Sequence, residues 1–96
     1  MDEVVHMAEA LRHKARDYCD KPHDPHAVEF IRELDEFYEL AHRGMTADKL
    51  EWKVKDLRKA IEELKHTEGL YDFDHIDDMH DRCEDMRKII EKLARQ

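Results

Sequence analysis

Residues 24–50 read DPHAVEFIRELDEFYELAHRGMTADKL, and this stretch decides the fold. Asp24 followed by Pro25 marks a helix start. The carboxylate can accept a hydrogen bond from the open N–H groups of the first turn, and proline fixes φ near its helical value where its missing N–H costs nothing. Phe30, Ile31, Leu34, Phe37, Tyr38 and Ala41 then recur at helical spacing and form one apolar stripe. Gly44 suits the left-handed position just past a helix end, and Thr46 suits the next N-cap.

The same grammar extends outward in both directions. Downstream, Leu50, Val54, Leu57, Ile61 and Leu64 form a second stripe, closed by Gly69. Upstream, Val4, Ala8, Leu11, Ala15 and Tyr18 form another, broken by Pro22. Ile76, Met79, Cys83, Met86, Ile90 and Leu93 form the last, with Asp72 or Asp74 as its cap. These signals predict helices near 2–20, 25–43, 47–67 and 74–95. No run alternates at period two, so no strand is expected. Four stripes on short connections predict an all-α, antiparallel up-down-up-down four-helix bundle that occupies 1–96 as a single domain. Two long hairpins that dimerise through the same stripes are the alternative.

Composition narrows the function classes. The chain has 96 residues, of which 41% are hydrophobic and 44% charged, enough apolar material for one small core. A net charge of −8, from 25 acids against 17 bases, argues against a general nucleic-acid binder. No apolar run approaches the ~20 residues of a membrane span, and no signal peptide is expected. With two cysteines, both expected to be free thiols, a reducing cytoplasm is the expected compartment. Ser and Asn are absent, which removes a serine nucleophile and an N-glycosylation acceptor. Gly44 and Gly69 are the only glycines, so there is no phosphate-cradling loop.

Histidine is abundant, with eight residues. In the predicted topology the connections near 20–24 and 67–73 share one end of the bundle. The first carries Cys19, Asp20, His23, Asp24 and His26, and the second is flanked by His66 and His75, with Asp72 and Asp74 between them. Imidazole, thiolate and carboxylate are ligand types that zinc and similar divalent metals accept. The bland alternative is a set of solvated loop residues. Two Glu-x-x-His runs, Glu39–His42 and Glu63–His66, have the spacing of bundle di-iron ligands. On a wheel of about 100° per residue Glu39, Glu63 and His66 point away from the apolar stripes and His42 sits at the border of its stripe, so a core di-iron site is not expected.

Residues 68–85 hold eight acids against Arg82 alone: Glu68, Asp72, Asp74, Asp77, Asp78, Asp81, Glu84 and Asp85. Residues 86–96 are mainly basic. This asymmetry suits the helix macrodipole, and Asp78–Arg82, Glu84–Lys88 and Glu91–Arg95 are i,i+4 pairs in the favoured order. The same acids also form a candidate surface for a basic partner. Trp52 falls roughly 160–180° from its helix's stripe, beside Lys55 and Lys59. It is either packed under Lys55 by a cation–π contact or an anchor for a partner or a second copy, with off-stripe Leu40 and Ile89 joining the same contact. The turn at 43–46 suggests helix-turn-helix, but the bases between 47 and 67 point in several directions, and DNA reading is not expected.

The expected function is that of a non-enzymatic acidic interaction protein, an adaptor, inhibitor or regulator needing no cofactor. Its surfaces would be Trp52, Lys55 and Lys59 on one face and Asp74, Asp77, Asp78, Asp81, Glu84 and Asp85 on another. Its partner would be a protein with a basic surface or a second copy of itself. The competing expectation is a metal-binding module built on Cys19, His23, His26, His66 and His75.

Overall fold

A computed structural model describes residues 2–18, 24–66 and 73–95. They form α1 (Asp2–Tyr18), α2 (Pro25–His42), α3 (Ala47–Lys65) and α4 (Phe73–Ala94), with no strand among the described residues. Local chemistry sets the ends of α2. Asp24 is extended (φ −82°, ψ 113°), and its Oδ1 accepts from the His26 N–H at 3.0 Å. At the other end Gly44 turns left-handed (φ 84°). Its N–H donates to the Ala41 carbonyl and that of Met45 to the Leu40 carbonyl, both at 3.1 Å. This is a Schellman closure, which brings the side chains of Leu40 and Met45 together.

Three expectations need correction. Thr46 is the N-cap of α3, but its side chain makes no capping hydrogen bond. α4 begins at Phe73, so Asp74 lies in the first turn, where its charge meets the positive helix end, and is not the cap. Arg43 and His66 are C-caps and do not extend their helices. The expected roles of Pro22, Gly69 and Asp72 fall outside the described residues.

The Gly44 turn can be tested. A Cβ there would meet nothing within 4 Å, so Gly44→Ala isolates the backbone cost of positive φ. We expect a loss of about 1 kcal/mol, or roughly 4–8 °C in Tm by thermal circular dichroism. An unchanged Tm would show that this turn does not hold the α2–α3 hairpin.

Each helix packs closely on two others, α1 on α2 and α4, and α3 on α2 and α4. Cross-helix pairs give the direction. His26–Glu63 and Glu36–Lys53 join α2 to α3, so ten residues forward on one is ten back on the other. Arg58–Glu84 and Lys65–Asp77 run seven against seven between α3 and α4. Lys14–Asp78 and Tyr18–His75 set α1 against α4 in the same sense. Neighbours are therefore antiparallel, as an up-down-up-down bundle requires. The 42 × 20 × 18 Å envelope matches helices packed two by two at ordinary spacing.

One continuous apolar cluster lies between the four helices, containing Phe30, Phe37, Leu57, Ile61, Met79 and Met86 among its largest members. Ala27 and Ala60 are also buried, although the stripes omit them. Tyr18, Ile31, Tyr38 and Leu93 sit at its border, only partly covered.

Candidate protein-binding groove

Trp52 is 71% exposed on the outer face of α3. It borders a shallow groove of about 390 Å³ between α2 and α3, whose other walls are Glu36, Leu40, Met45, Lys49, Lys53 and Asp56. The floor comes from the helix closure described above, because the Schellman turn sets Leu40 and Met45 beside each other, half-covered against the core. Lys55 Nζ lies 4.8 Å from the Trp52 ring centroid, a cation–π contact that leaves most of the indole in water.

The groove's charges are arranged in two ways. Lys53 donates to Glu36 at 2.9 Å across the α2–α3 seam. That hydrogen bond, with the charge of Lys53, holds the Glu36 carboxyl below its ordinary value and raises the Lys53 ammonium. Lys49 and Asp56, by contrast, are exposed and make no ion pair among the described residues.

Several expected site residues lie elsewhere. Leu40 joins Trp52, whereas Ile89 packs at the core border on α4 and does not line the groove. Lys59 belongs to a separate cleft of about 200 Å³ with Glu29, Glu33, Asp56, Ala60 and Glu63. There, partial burial and then the neighbouring charge of Glu36 raise the Glu33 carboxyl above its ordinary value. The other bases of α3 are used in seams: Arg58 on Glu84, and Lys65 on Asp77 at 3.1 Å.

The acidic half of α4 is partly neutralised by its own bundle. Asp77 pairs with Lys65, and Asp78 pairs with Arg82 at 3.2 Å and Lys14 at 4.0 Å. Glu84 contacts Arg58 and Arg87 and not the expected Lys88, because Arg87 at i+3 and Arg58 across the seam are within reach. Asp74, Asp81 and Asp85 are exposed, and the last two make no ion pair among the described residues. Glu91–Arg95 forms at 2.8 Å as expected.

The histidines are placed as follows. His26 Nδ1 is 3.3 Å from Glu63 Oε2, and His75 stacks on Tyr18 with centroids 4.1 Å apart. His66 is exposed at the end of α3. Among the described residues no group of three or more His, Cys, Asp or Glu is placed to hold a metal ion. Cys19 and His23 lie outside the described residues. Glu39, His42, Glu63 and His66 are all exposed, so both Glu-x-x-His runs do face outward. Cys83 is fully buried, and burial pushes its thiol far up, which removes it as a nucleophile at neutral pH.

The wheel placed Trp52 in the sequence but did not locate the groove. The signal that could have found it was the Leu40–Met45 pair flanking the Gly44 closure. No helix among the described residues is long and apolar enough to cross a membrane. No family model, curated protein or solved structure matches the chain.

Proposed function

We propose that this chain is a non-enzymatic cytoplasmic interaction protein, an adaptor, inhibitor or regulator, that works through the Trp52 groove. The observation that carries this is an indole left 71% exposed next to a half-apolar groove, in a bundle whose other large apolar residues among the described ones, except Val28, are at least partly covered. Trp is enriched among the residues that dominate binding energy. The exposed acids Asp81 and Asp85, with Asp74, offer a second surface toward a basic partner. It would act by steering, because surface charges affect association rate more than affinity. The metal alternative is not carried further, since His26 and His75 have other partners in the fold.

Trp52→Ala tests the proposal. The variant should keep its helicity and Tm and lose the partner or second copy that co-purifies with the wild-type chain, followed by native mass spectrometry. A drop of several degrees in Tm with unchanged assembly would make Trp52 a packing residue and overturn the proposal.

A further inference from the structure

We infer that the occupant of the Trp52 groove is a second copy of this chain, docked with its α3 antiparallel to the first about a two-fold axis near residues 52 and 53. This rests on the groove being an interaction surface and names what fills it.

The pattern of charge favours a copy over a foreign partner. Lys49 and Asp56 lie on the groove face of α3, one on each side of Trp52, seven residues or about 10 Å apart along the axis. Both are exposed, and neither has an ion pair among the described residues, while Glu36 and Lys53 are paired with each other. A two-fold contact is reciprocal: if one residue meets another, the reverse contact forms as well. Antiparallel docking centred between Lys49 and Asp56 sets Lys49 of each copy opposite Asp56 of the other, twice. It also brings both Trp52 rings close to the axis and over the apolar floor of Leu40 and Met45.

A partner of one charge sign would meet opposition from half of this surface. A basic helix would face Lys49 and Lys53, and an acidic one Glu36 and Asp56. Those four charges cancel and Lys55 over the indole adds one positive charge, so the patch escapes the acidity of a chain of net charge −8. Two copies can therefore approach here without the repulsion their other acidic surfaces would impose. The patch is small beside a standard interface, so affinity in the micromolar range is expected.

Sedimentation equilibrium of the full chain from about 5 µM to 1 mM tests the inference, with circular dichroism to confirm folding. The expected result is a monomer–dimer equilibrium whose Trp52 fluorescence shifts to the blue as concentration rises. Trp52→Ala should weaken dimerisation at least about 30-fold. Lys49→Asp and Asp56→Lys should each weaken it by about 10-fold, since each creates two like-charge contacts. Mixing these two variants should restore dimers, because one copy then presents only acids and the other only bases. A monomer at 1 mM, or a dimer whose mixed variants do not recover, overturns the self-docking. If that chain nevertheless binds a purified heterologous protein in a Trp52-dependent way, self-docking falls and the interaction function stands. If Trp52→Ala lowers only Tm, both fall.

Discussion

Phe37→Ala is expected to destabilise the protein by about 3–5 kcal/mol, the largest effect of any single truncation considered. Phe37 is 1% exposed on the inner face of α2 and belongs to the cluster shared by all four helices. Deleting its ring removes the transfer free energy of the lost carbons and leaves a cavity that rigid helices fill only in part. A chain of 96 residues has a total stability of about 5–15 kcal/mol, so much of the margin would be lost. Val28→Ala on the same helix is the internal control, because Val28 is 54% exposed and should change stability by less than about 0.5 kcal/mol. Urea unfolding followed by circular dichroism decides the matter. A Phe37→Ala loss below about 1.5 kcal/mol would mean that α2 does not seat on the core as described.

The parts of the fold legible in the sequence are those fixed by local physics. Asp24 with Pro25, and Gly44 with the apolar pair around it, specify the ends of α2 through hydrogen bonds a few residues long. The stripes gave the core because burial follows helical period, and the residues they missed, Ala27 and Ala60, are too small to stand out in a pattern. What stayed hidden depends on tertiary distance. No spacing rule shows that Arg58 would take Glu84 across a seam and leave Lys88 without it, or that Lys53 would turn to Glu36 while Lys49 stays unpaired. The acidic run looked like one surface, yet Lys14 and Lys65, far away in sequence, neutralise part of it. The Trp52 groove exists only once α2 and α3 are antiparallel neighbours, so the sequence could show the indole's direction but not what lies beside it.

The second large effect is expected at the α3–α4 seam, where an ion pair has its facing atoms shut off from water. Arg58 and Glu84 form an ion pair there, and the facing atoms, Arg58 Nε and Glu84 Oε1, are themselves shut off from water and make no hydrogen bond. Arg87 donates to the second carboxylate oxygen at 3.2 Å. Burial alone would push the Glu84 carboxyl up. The hydrogen bond from Arg87 and the charges of Arg58, Arg87 and His80 more than offset this and hold it below the ordinary carboxylate value. Arg58→Ala leaves that carboxylate half-partnered at the seam. Exposed pairs contribute about 0–1 kcal/mol, and breaking a fully buried one costs about 3–5. With side chains 34% and 22% exposed, an intermediate loss of about 2 kcal/mol is expected. The sign of the pH dependence follows from the depressed carboxyl. Its contribution is fully present above the unfolded-state value, roughly 4.3, and fades as pH falls through the lower folded value. Wild-type stability should therefore decline through that acid window. Glu84→Gln should be less stable than the wild type at pH 7 and should lose less on acidification, measured by urea unfolding at pH 7 and pH 3. Equal acid losses in the two proteins would show that the carboxylates responsible lie elsewhere on the surface.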